Sequence, residues 1–188
     1  MDTTKKIDFI KIVKIFLLIL SGSLLLTLSA KIKIPFYPVP MTMQTFVVLF
    51  LGIALGPKIG LATVSVYLLE GIFGLPVFAN SPEKGVGLIY FTGPTMGYLI
   101  GFMLAAYFAG SQKKLKNENT YLHIFLRLLF SVSFIYILGL FWLGLLIGWD
   151  KPIFKLGAQP FLLAELFKLV LLTILYPFIL KLNTKLFR

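Results

Sequence analysis

Apolar runs near the length of a bilayer crossing alternate along the chain with short polar or proline-broken stretches. A spanning helix needs about 20 predominantly apolar residues, with a range of about 17–25. The first run covers roughly residues 10–30, and Lys11 and Lys14 at its start can extend their ammonium groups to the headgroup layer. The stretch KIKIPFYPVP (31–40) follows, and its three prolines forbid a continued helix. Further runs cover 41–55, stopped by Gly56-Pro57-Lys58, and 59–75, stopped by Pro76. The last three cover 88–109, 122–148 and 161–182. This pattern predicts an all-α, polytopic membrane protein: six transmembrane helices in one integral membrane domain, 1–188. The second run is short for a crossing, so five spans with a re-entrant segment is the competing count.

Composition removes the soluble alternative. The 188 residues are 59% apolar and only 13% charged, with a mean hydropathy of +0.95. A soluble domain of this size has too much surface per volume to hide so many apolar side chains. The net charge of +11 is a candidate nucleic-acid signal, but its distribution points elsewhere. With six spans and both termini cytoplasmic, Lys31, Lys33, Lys84, Lys151 and Lys155 fall outside, and Lys168 falls within the sixth span. The other twelve of the 18 Lys and Arg fall inside, as short cytoplasmic loops require. The basic start followed by IFLLILSGSLLLTLSA also has the composition of a secretory leader. It is long for a leader core, and the charge pattern needs it as the first span.

The same sequence excludes several chemistries. There is no Cys and one His, so disulfides, thiolate metal sites and His-cluster metal sites are out. No GxxxxGK(S/T), HExxH or GxSxG motif occurs, so the chain carries no P-loop ATPase of its own. His123, near the inner end of the fifth span, reads as an interfacial side chain. A non-enzyme that binds a small molecule and draws energy from elsewhere fits best.

The informative residues are therefore the polar ones placed in lipid, where an ionised side chain costs about 2.5–3.5 kcal/mol on insertion scales. Glu165 and Lys168 in the sixth span are three apart and share a helical face. They form either a structural ion pair or a ligand site offering an acceptor and a cation together. Glu70, late in the third span, is either a surface carboxylate or a partner for Lys168. Thr42, Gln44, Thr45, Asn80, Ser81, Thr92, Thr95 and Gln159 all fall on the outer side, above the charged pair. Trp142 lines the cavity or faces lipid. Glycines at every fourth position (Gly52, Gly56, Gly60 and Gly93, Gly97, Gly101) predict close helix contacts.

Four ordered segments carry a resemblance. PVPMTMQT (38–45), GLPVFAN (74–80), TGPTMGYLIGF (92–102) and PFLLAELFK (160–168) resemble the BioY family, the biotin-specific S component of energy-coupling-factor (ECF) vitamin transporters. The resemblance implies a six-helix bundle with an outward-facing pocket roofed by the first and third outer loops. It implies biotin as the transported ligand, with no cofactor. It also implies docking to a transmembrane coupling subunit and two ATP-binding cassette ATPases, in the cytoplasmic membrane of a prokaryote. Asn80, Tyr90, Glu165 and Lys168 would form the pocket, with Gln44 and Tyr98 as further ligand-binding candidates. Ser23, Thr27 and Ala30 would supply the small-residue docking face of the first helix. The chain departs from the family in having Glu165 where Asp is common and Met96 where a second Gly is common. It also lacks the Arg that some members carry near Tyr90. An S component for another vitamin, or a structural or assembly membrane protein, are the competing functions.

Overall fold

The computed structural model of the chain describes residues 3–35, 37–111 and 120–187. The charged stretch 113–118, expected as an inner loop, lies outside the described residues, as do the side chains of Lys5, Lys6 and Arg188. Helix α1 (Thr3–Lys31) leads into a small antiparallel ribbon of β1 (Lys33–Ile34) and β2 (Met41–Thr42). The proline-rich stretch thus becomes a hairpin between helices. Lys33 pairs with Thr42 and Ile34 with Met41. Then come α2 (Gln44–Leu55), α3 (Pro57–Ile72), a 3-10 turn at Gly87–Thr92, and α4 (Met96–Gly110). Helix α5 (Thr120–Ile147), the five-residue α6 (Ile153–Gly157), a 3-10 turn at Gln159–Phe161 and α7 (Leu162–Leu186) complete the order. Among the described residues, three segments, Phe9–Lys31, Tyr121–Ile147 and Ile153–Leu186, are long and apolar enough to cross a bilayer, while Gln44–Leu55 and Met96–Gly110 are shorter apolar helices.

Helix α2 is the short run, and its place explains its length. Twelve residues rise about 18 Å, well under the hydrocarbon thickness of about 30 Å. Ten of the twelve are buried, because α1, α3, α4 and α7 all pack around it. A helix apolar on every side belongs in a core. Met41 and Thr42, expected in this helix, instead pair in the ribbon. Gly56, with φ +80°, turns the chain from α2 into α3, and Pro57 takes the first helical position, where its missing N–H costs nothing.

The expected helix over 88–109 is divided. Gly93-Pro94 separates the 3-10 turn from α4, since proline disfavours helical geometry in the residue before it. The glycines beyond that break serve packing. A Cβ on Gly101 would lie 2.6 Å from Ile135 Cα, and one on Gly97 would lie 2.5 Å from Trp142 Cβ, so α4 and α5 meet backbone to backbone. Gly110 makes a similar approach to α2, where its Cβ would meet Gly52 O at 2.6 Å. Helix α1 sits at the edge, exposing Phe9, Phe16, Leu24 and Leu28. The hairpin, the 73–95 connection and α6 gather at one end of the bundle, over a cavity between α2, α4, α5 and α7.

Candidate ligand site

Glu165 and Lys168 stand one turn apart on α7, 6% and 5% exposed. Strand β2 and the first turn of α2 supply their surroundings. Lys168 Nζ lies 2.7 Å from Glu165 Oε1, and it donates to Thr42 O at 2.7 Å and Thr45 Oγ1 at 3.0 Å. The Thr45 hydroxyl in turn donates to Glu165 Oε1 at 2.8 Å. Three acceptors use all three ammonium donors. The other carboxylate oxygen, Glu165 Oε2, is buried and has no hydrogen-bond partner. A buried unmet acceptor of this kind carries a cost of about 1–3 kcal/mol, more when charged.

Glu165 lines the cavity, and among the described residues it is the one charged side chain that does so. Val39, Leu99, Phe102, Ile135 and Phe161 make apolar walls, while Thr42, Gln44, Thr45, Thr95 and Tyr136 add polar groups. Tyr136 stands on α5 with its hydroxyl close enough to Glu165 to interact with the carboxylate as a donor as well as through charge, although no bond of good geometry reaches Oε2. Lys168 is not in the lining; its ammonium lies behind the carboxylate, against α2.

The remaining expected ligand residues take different positions. Gln44 lines the cavity, and its amide donates to Tyr67 Oη at 2.8 Å, whose hydroxyl reaches Val77 O at 3.2 Å. Tyr90 also lines it, held by stacking on Phe78 (centroids 4.6 Å apart) and by Asn80 N–H, which donates to its hydroxyl at 3.3 Å. Burial raises the Tyr90 phenol above its usual range, so it stays neutral. Tyr98 lines the cavity while its hydroxyl donates to Gly157 O at 2.9 Å, tying α4 to α6. Asn80 is half-buried beside the mouth and outside the lining, with Oδ1 3.4 Å from Lys33 Nζ.

The expected docking residues lie inward, and two other expectations change. Ser23 and Ala30 are turned inward, 1% and 0% exposed, and Thr27 is half-buried with its hydroxyl on Ser23 O at 3.1 Å. Buried as they are, Ser23 and Ala30 present no open surface on α1. Glu70 is neither a surface carboxylate nor a partner of Lys168, because it accepts a hydrogen bond from Ser23 Oγ between α1 and α3. Trp142 is half-buried and donates Nε1–H to Gly93 O at 2.9 Å, fixing the turn ahead of α4. Sequence reasoning missed Tyr136 and Phe161 in the lining. For Tyr136 the available signal was a hydroxyl in the middle of an apolar run.

This constellation invites comparison with known proteins. The chain matches the sequence model of the BioY family over residues 2–185. It belongs to the BioY family. The biotin transporter BioY of Thermotoga maritima is 38% identical over 146 residues, 78% of this chain and 83% of that protein. The probable biotin transporter BioY of Pyrococcus horikoshii is 34% identical over 145 residues, 77% of this chain and 82% of that one. The crystal structure of the S-component for biotin from an ECF-type ABC transporter superposes with a TM-score of 0.73. At 24% identity, covering 96% of this chain and 95% of the other, it shares the fold with this BioY-family bundle.

Proposed function

We propose that this BioY-family chain is the biotin-capturing S component of an ATP-driven ECF importer. Biotin offers two ureido N–H donors, one ureido carbonyl, an apolar bicycle with a thioether, and a carboxylate tail. The observation that carries the reading is the buried Glu165 Oε2, without a hydrogen bond of good geometry, in a cavity whose other described lining residues are uncharged and largely apolar. An ionised acceptor makes the stronger hydrogen bond to N–H, and Leu99, Phe102, Ile135 and Phe161 suit the bicycle. Gln44, Tyr90, Tyr98 and Asn80 complete the proposed ligand set. Lys168 acts through Glu165, holding it oriented rather than touching the ligand.

The chain has no P-loop motif, so the energy for uptake is assigned to a transmembrane coupling subunit and two ATP-binding cassette ATPases. The proposed orientation puts both termini in the cytoplasm and the hairpin, α6 and cavity mouth outside. The chain needs no cofactor in this reading, and no nucleic acid.

Titration calorimetry on the detergent-purified protein tests the reading with biotin, lipoate, riboflavin and thiamine. Biotin should bind at micromolar concentration or below. Lipoate, which has the tail but no ureido group, should bind at least tenfold more weakly, because Oε2 then stays unmet. No heat with biotin would refute the proposal, and binding of another vitamin in its place would reassign the ligand.

A further inference from the structure

An anionic ligand creates a problem that the cavity does not solve. Its one charged lining residue among the described residues is Glu165, which has the same sign as a carboxylate tail. If the ureido end meets Glu165, the tail must leave toward the mouth and find a cation there. Lys31 and Lys33 stand at that edge, at the junction of α1 and the hairpin, and they differ in how far they are committed. Lys31 Nζ donates to Phe78 O and Ser81 O, both at 2.8 Å, with Ser81 Oγ at 3.5 Å. Its donors are used in holding the 78–81 turn. Lys33 Nζ makes one short hydrogen bond, 2.7 Å to Ala79 O. Its other neighbours are distant: Asn80 Oδ1 at 3.4 Å and Glu83 Oε2 at 3.9 Å.

Ala79 is itself a lining residue, so the Lys33 ammonium touches the backbone of the cavity rim. The Lys33 side chain is 30% exposed, and that of Glu83 is 67% exposed. So exposed an ion pair is weak and easily exchanged. A carboxylate arriving from the cavity can take the place of Glu83, and the Asn80 carboxamide alongside offers N–H donors. Lys84 is a poorer candidate, since its ammonium lies 5.8 Å from the centroid of the exposed Tyr37 ring. We propose that Lys33, assisted by Asn80, reads the tail carboxylate of the ligand at the cavity mouth. The inference rests on the biotin reading above.

Calorimetry with biotin and biotinamide, whose tail is uncharged, separates the possibilities. Wild type should prefer biotin by about tenfold, the worth of one charge-assisted hydrogen bond, and raising salt should shrink that preference. Lys33→Met should weaken biotin about tenfold, leave biotinamide within about twofold, and so erase the preference. Lys84→Met should change neither. Equal weakening of both ligands by Lys33→Met would mean that Lys33 only braces the 79–83 turn, and would overturn the inference. A wild-type protein that binds the two equally would overturn it without recourse to any variant. If wild type binds biotinamide but Lys33→Met fails to fold, the salt dependence of the wild-type preference decides. If neither ligand binds wild type, the biotin reading itself fails and the inference falls with it.

Discussion

Charged residues stand around both the deep and the outer end of the cavity, and the two ends are built on different principles. At depth, Lys168 and Glu165 are sealed from water, and every ammonium donor is matched to an acceptor. At the mouth, Lys31 and Lys33 grip backbone carbonyls of residues 78–81, and the attached ion pair with Glu83 is open to solvent. Removing one member of a buried pair leaves an uncompensated charge in a medium that cannot solvate it. Removing a wet one leaves a group that water satisfies. On the proposed reading, the deep end sets whether a ligand binds at all, while the mouth sets how the entry loop is held and which tail is preferred.

Substitutions can sharpen or break this contrast. The largest effect should come from Lys168→Met, which strands Glu165 and should cost about 3–5 kcal/mol of stability. Thermal unfolding in detergent should show a large drop, and an unchanged midpoint would mean that water already reaches the pair. Adding Glu165→Met to that variant should restore most of the lost stability, since apolar replacements of buried pairs are often neutral or better. The double variant should nevertheless bind no biotin, so recovered binding would remove the pair from the site. Next in size, Lys31→Met should free the 78–81 turn, at about 0.5–1.5 kcal/mol for each lost hydrogen bond. Hydrogen exchange should quicken at the amides of Ser81, Lys84 and Gly85, which close the turns there, while amides of α2 keep their protection. Smallest of all, Lys33→Met should cost no more than about 1 kcal/mol of stability, its effect being confined to tail preference.

What could be read in the chain beforehand follows from what a bilayer imposes. Long apolar runs and intramembrane charges stand out because lipid penalises anything else, so the helices and the Glu165–Lys168 pair were visible from composition and spacing. Orientation was not. In α1 both faces are apolar, so periodicity could not tell that Ser23 and Ala30 turn inward while Phe16 and Leu24 turn outward. The same blindness hid the Ser23–Glu70 hydrogen bond. The short α2 read as a weak span because length counts only for helices that face lipid, and this one is wrapped by its neighbours. Thr45 was visible as a polar residue near the outer side. Its place between Lys168 and Glu165 depends on how α2 packs on α7, which no local pattern encodes. The lysines of the mouth counted only as outer charges until the 78–81 turn was seen beneath them.

The central claim is that the free oxygen of Glu165 receives the ureido group of biotin. Glu165→Gln tests it most directly, because it keeps the side-chain shape and removes the charged acceptor while Lys168 retains its bonds to Thr42 and Thr45. Calorimetric titration with biotin, run beside wild type at equal protein concentration, should show at least a tenfold loss of affinity in the variant. Binding of biotin by the Gln variant with wild-type affinity would contradict the account.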